Sequence, residues 1–173
     1  MTQVPEWFTN AKLGIFIHFG IYAVGDVSES WSFYHNTISH EDYMKQIEGF
    51  TCENFDADKW ADLIKKSGAK YSVFTTKHHD GVALFDTKYS DLSTVKKSPY
   101  KNDIVKEFTD AIRKRDIRVG MYYSLIDWSH PDYATVYENG VVPEDLSTVN
   151  KYTSPTDGKQ DEEAWARFME FNK

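Results

Sequence analysis

Short apolar runs alternate with amphipathic stretches along this chain, and that alternation limits its fold more than any other feature. Leu13 to Phe19 (LGIFIHF) is a nearly continuous apolar run closed by Gly20, the pattern of a strand buried on both faces of a parallel sheet. Tyr71 to Thr76 (YSVFTT) is β-branched and aromatic and makes a second candidate strand; Ile117 to Leu125 (IRVGMYYSL) makes a third. Between the first two, Ala57, Trp60, Ala61, Leu63 and Ile64 follow helical spacing, with Asp56 placed to cap the helix and Gly68 to end it. Ile104, Val105, Phe108, Ala111 and Ile112 mark a second such helix before the third strand. Ser39 to Glu48 predicts a shorter helix, with Ser39 as N-cap and Asp42 in place of the usual capping-box Glu. Trp60, Leu63, Phe108 and Ile112 are expected in the core.

Helix then strand, repeated, predicts parallel βαβ units and an α/β fold. The region from Asp127 to Gly158 carries Pro131, Pro143, Pro155, Gly140 and Gly158 and reads as a long excursion, which in an α/β barrel usually covers the catalytic face. Asp161 to Phe171 then restarts a helix with Ala164, Trp165, Phe168, Met169 and Phe171 on its apolar side. Three strands do not close a barrel. The expectation over residues 1–173 is therefore the N-terminal portion of a (β/α)8-like barrel, incomplete in this chain; a complete small α/β domain is the alternative.

The polar residues gather at one end of each strand. His18 ends the first, Lys77-His78-His79-Asp80-Gly81 follows the second, and Tyr122, Tyr123, Ser124, Asp127 and Trp128 end the third. Barrel enzymes build their active sites from strand C-terminal ends, so all three groups should share one rim. Two adjacent imidazoles and a carboxylate at a turn closed by Gly81 can present several donors and acceptors to a polyhydroxylated ligand. His18 alone reads more readily as a structural histidine than as a ligand-binding one, because neutral imidazole buries well with partners. Trp31, in a polar loop, suits either sugar stacking or loop anchoring. His18, His78, His79 and Asp80 also raise a metal-site alternative, but no HxH or HExxH spacing accompanies them. The chain has no Gly-rich phosphate loop and no G-x-S-x-G elbow.

Composition narrows the partners. A net charge of -7 opposes nucleic acid. No apolar run approaches the roughly 18 residues that span a bilayer. The opening MTQVPEWFTNAK lacks the basic-then-apolar order of a secretory signal, so the chain is cytosolic or has lost a leader. A lone Cys52 excludes an internal disulfide and a cysteine-based zinc site. Aromatic residues at 16% fit a ring-rich core or a sugar-binding surface.

The segments WFTNAKLGIFIHFGIYAV, KHHDGVALFDTKYSDLSTVKKSPYKNDIVKEF and GMYYSLIDW, in that order, resemble the N-terminal half of the barrel in family 29 glycoside hydrolases, the retaining α-L-fucosidases. The resemblance implies a (β/α)8-like catalytic domain followed by a β-sandwich, removing α-linked L-fucose from glycans without a cofactor. A fucosylated glycan would be its partner, and the resemblance is compatible with an oligomer. It further implies that His18, His78 and His79 bind the fucose hydroxyls, that Tyr123, or alternatively Tyr122, faces the sugar, and that Trp31 touches it. Ser30 stands where the family has a Glu, with Glu29 one position earlier. The family's nucleophilic Asp and acid/base Glu are expected downstream, so no catalytic residue is expected here and Asp80 would support the histidines. Two rivals follow: a non-catalytic sugar-binding fragment and a metal-dependent hydrolase.

Overall fold

A computed structural model describes residues 4–133 and 162–172. Its centre is a three-stranded parallel sheet in the order β1 (Gly14–Ile17), β2 (Tyr71–Lys77), β3 (Arg118–Tyr123). Phe16 pairs with Val73 and Val73 with Gly120, so the three C-terminal ends lie side by side. Tyr122 keeps the regular register opposite Thr75, and a shift between Thr75 and Lys77 sets Tyr123 opposite Lys77. The adjacent tyrosines thus meet different neighbours.

Seven helices surround the strands among the described residues: α1 (Glu6–Ala11), α2 (Trp31–Tyr34), α3 (His40–Lys45), α4 (Ala57–Lys66), α5 (Thr94–Lys97), α6 (Ile104–Arg113) and α7 (Glu162–Phe171). Short side chains cap several of them, Ser39 and Asp56 as the sequence predicts and Asp103 in addition. Ser39 Oγ accepts the Asp42 N–H at 3.0 Å, Asp56 that of Lys59 at 2.9 Å, and Asp103 that of Lys106 at 2.8 Å. The helix expected over Ser39–Glu48 is α3 followed by a 3-10 turn, Gln46–Gly49. Gly68 ends α4 at φ +86°, a conformation that favours glycine.

The core lies between the sheet and the α4–α6 pair. Ala61 and Ile64 of α4 and Ile104, Val105, Phe108, Ala111 and Ile112 of α6 are all buried. Phe108 stacks on Phe74 of β2 with ring centroids 4.4 Å apart. Leu63, expected in the core, is instead 65% exposed. It sits at the border of the apolar stripe, where Ile15, Ile17, Trp60 and Ile64 join it around an open hollow beside β1. Periodicity finds the stripe but not which of its margins is covered.

β1 is shorter than the apolar run, and it is not buried on both faces: Phe16 is 53% exposed and Leu13 45%. Lys12, at φ +60°, breaks the chain just before it, and β1 is an edge strand of the sheet. The helix expected over Asp161–Phe171 is α7, with Phe168 buried and Met169 exposed. The excursion read over residues 127–158 falls outside the described residues from position 134 onward. Among the described residues no helix is long and apolar enough to cross a membrane.

Candidate functional site

Three imidazoles converge at the C-terminal ends of β1 and β2. The ring centroids of His18 and His78 are 5.0 Å apart, and those of His78 and His79 4.2 Å. Neighbouring side chains in an extended turn usually diverge; here the turn draws them together. The Gly81 N–H donates to the His78 carbonyl at 3.1 Å, and Gly81 adopts φ +79°. A Cβ at Gly81 would strike the Asp127 carboxylate, so the glycine is required by both conformation and space.

Each histidine of the pair is held at Nδ1 by a serine. His79 Nδ1 lies 2.6 Å from Ser124 Oγ, whose proton goes to the Ile126 carbonyl at 2.8 Å. The serine must then accept from His79, which places the imidazole proton on Nδ1 and leaves Nε2 as an acceptor. His78 Nδ1 lies 2.5 Å from Ser30 Oγ. Burial, with His79 and His18 close by, pushes His78 down to about 3, and burial with Lys77 also lowers His79 against the opposing charge of Glu29. Near neutral pH these are uncharged rings suited to trading hydrogen bonds with hydroxyls.

An aromatic wall completes the rim. Trp31, from the first residue of α2, meets His79 edge-on at 5.8 Å and Trp128 at 5.3 Å. The Trp128 ring lies 4.8 Å from that of His79, and the Trp128 backbone N–H donates to the His79 carbonyl at 2.7 Å. On the other side, Tyr122 stacks against His78 at 5.7 Å and meets Phe16 at the same rim. Tyr123 stands apart from the histidines. Its ring covers Lys77 Nζ at 4.8 Å, and its hydroxyl donates to Asn172 at 3.2 Å.

The two aspartates of this region are occupied. Asp80 is buried, accepting the Tyr43 hydroxyl at 2.7 Å and the Val82 N–H at 2.9 Å, and its desolvation pushes it up to about 6. Asp127 accepts Lys77 Nζ at 2.9 Å together with the N–H groups of Ser129 and His130. Among the described residues no group of three or more His, Cys, Asp or Glu is arranged to hold a metal ion. With one nitrogen of each paired histidine on a serine, the cluster suits a neutral polyhydroxylated ligand better than a cation.

A family model described as alpha-L-fucosidase matches residues 1–169. The chain belongs to the α-L-fucosidase family. It is 40% identical to human plasma alpha-L-fucosidase over 146 residues, covering 75% of this chain and 31% of the relative. A solved α-L-fucosidase of family GH29 from Bacteroides thetaiotaomicron is 30% identical and superposes with a TM-score of 0.77, covering 99% of this chain and 37% of that one. An α-L-fucosidase from Lactobacillus casei, solved in complex with α-L-fucose, is 30% identical with a TM-score of 0.76, covering 91% of this chain and 51% of that one. The chain spans about a third of the length of the curated relatives it matches.

Among the α-L-fucosidase residues expected from sequence, the fold brings His18, His78, His79 and Trp31 into one cluster and leaves Tyr123 outside it. Trp128 and Ser124 were legible as rim residues, but not as the neighbours that hold His79. Ser30 and Tyr43 carry no sequence signal for their roles, because their partners lie 48 and 37 residues away.

Proposed function

We propose that this chain is the N-terminal portion of the (β/α)8-like catalytic barrel of a retaining exo-α-L-fucosidase, and that it supplies the wall that grips the fucose ring. The observation carrying this reading is the convergence of His18, His78 and His79 with Trp31 at the C-terminal ends of parallel strands, where barrel enzymes hold substrate. The neutral His78 and His79 rings exchange hydrogen bonds with the sugar hydroxyls, and the exposed Trp31 indole offers surface to its apolar face. Of the two tyrosines, Tyr122 is favoured as the sugar contact by its stacking on His78. The exposed Phe16 face of the sheet fits the interior of a barrel closed by further strands.

Retaining hydrolysis requires two carboxyl groups about 5–5.5 Å apart, one attacking the anomeric carbon and one protonating the leaving oxygen. Asp80 is spent on Tyr43 and Val82, and Asp127 on Lys77, so neither is offered as nucleophile or acid. The catalytic pair is assigned to residues of the enzyme beyond this chain, and residues 1–173 alone are inactive. The test compares hydrolysis of an aryl α-L-fucoside by the full-length polypeptide and by residues 1–173. Activity in the first alone supports the reading, and activity in the second refutes the exclusion of Asp80 and Asp127.

A further inference from the structure

Ser30 is fully buried at the start of α2, yet it does not cap that helix: its side chain makes no bond to the helix's free N–H groups. The hydroxyl turns instead to the loop after β2. It lies 2.5 Å from His78 Nδ1 and accepts the Asp80 N–H at 3.1 Å. Asp80 is anchored in turn by the Tyr43 hydroxyl from α3 at 2.7 Å and by the Val82 N–H at 2.9 Å. Three segments remote in sequence therefore meet beneath one imidazole.

Four rings also pack around His78. His18, His79, Tyr22 and Tyr122 surround it at centroid distances of 5.0, 4.2, 6.4 and 5.7 Å. Ring packing fixes where an imidazole lies, but a half-turn about the Cβ–Cγ bond exchanges Nδ1 with a carbon at almost no steric cost. A polar partner on one ring position is what separates the two orientations. Ser30 is that partner, and its own position is set by the Asp80 amide.

We propose that Ser30 is a positioning residue for His78: its hydroxyl, braced by the Asp80 N–H, selects one of the two ring orientations and leaves Nε2 as the nitrogen offered to the ligand. Position 30 thus acts from beneath the histidine rather than touching the sugar. This inference rests on the reading of His78 as a fucose-binding residue.

The test uses the full-length polypeptide with Ser30→Ala, Ser30→Thr and His78→Ala, reading L-fucose affinity, kinetics on an aryl α-L-fucoside and the ring 15N shifts of His78. Ser30→Ala should move the His78 ring shifts from one tautomer to a mixture and lower fucose affinity by about three- to tenfold, the loss of one ordinary hydrogen bond. Ser30→Thr, which keeps the hydroxyl, should restore both. Should the added methyl group prevent folding, the ring shifts of Ser30→Ala decide. Unchanged shifts and affinity in Ser30→Ala, with binding lost in His78→Ala, would overturn the role of Ser30 alone. Unchanged affinity and kinetics in His78→Ala would overturn the fucose-binding reading and this inference with it.

Discussion

Lys77 Nζ lies 2.9 Å from Asp127 Oδ2, and the two side chains are only 2% and 4% exposed. The pair ties the end of β2 to the turn after β3, directly under the loop that carries His78 and His79. Its strength is conditional. Removing one member leaves an uncompensated charge in the interior, whereas replacing both with apolar groups does not.

Asp127→Asn is therefore expected to destabilise the protein by about 3–5 kcal/mol, and Lys77→Met combined with Asp127→Leu by clearly less than that. Urea unfolding of the full-length polypeptide measures both. Equal losses in the single and double variants would show that the pair contributes through shape rather than charge.

The Ser124 hydroxyl fixes the His79 proton on Nδ1 by spending its own proton on the Ile126 carbonyl. Ser124→Ala should free both tautomers of His79 and weaken L-fucose binding by roughly three- to tenfold. Calorimetric titration with L-fucose reads the affinity. A variant that binds as tightly as the parent would remove Ser124 from the account.

His78 is held down to about 3 by burial and by its neighbours His79 and His18, against an ordinary histidine value near 6.5. Between those values the unfolded chain binds a proton that the native ring refuses, so this group's contribution to stability is level above about pH 6.5 and falls as pH drops toward 3. Asp80 acts oppositely. Raised by burial to about 6, it contributes stability below its unfolded value of 3.8, and that contribution is lost as pH rises through about 6. NMR of the His78 ring should show a neutral imidazole at pH 5; a midpoint near 6.5 would contradict its burial.

In the core, Phe108→Ala should cost about 3–5 kcal/mol, because Phe108 is fully buried and stacked on Phe74. Leu63→Ala on the neighbouring helix should stay within about 0.5 kcal/mol, as expected of an exposed side chain. Thermal denaturation of the two variants separates the cases. A large loss at Leu63 would mean that other parts of the full-length protein cover it.

Much of this arrangement is legible along the chain. The βαβ order, the Asp56 and Ser39 caps and the buried stripe of α6 follow from spacing and local chemistry, since each depends on residues within a turn or two. The rim is legible too, because parallel strands put their C-terminal ends together and the polar residues of each strand collect there. What spacing does not carry is the pairing across loops. Ser30 with His78, Tyr43 with Asp80 and Lys77 with Asp127 join residues 37 to 50 positions apart. Tyr122 and Tyr123 show the same limit at closer range: spacing does not say which of them meets the histidines, whereas the fold stacks Tyr122 on His78 and sets Tyr123 over Lys77. Leu63 fits the helical period and is exposed all the same, because period alone does not say which margin of a stripe is covered.

The most direct test of the central claim is the kinetics of His78→Ala and His79→Ala in the full-length polypeptide, with an aryl α-L-fucoside as substrate. Each variant is expected to remain folded and to lose roughly tenfold to a thousandfold in kcat/KM, since buried contacts to sugar hydroxyls are worth about 1–4 kcal/mol. Parent-like kinetics in both variants would contradict the assignment of these histidines to the fucose-binding wall.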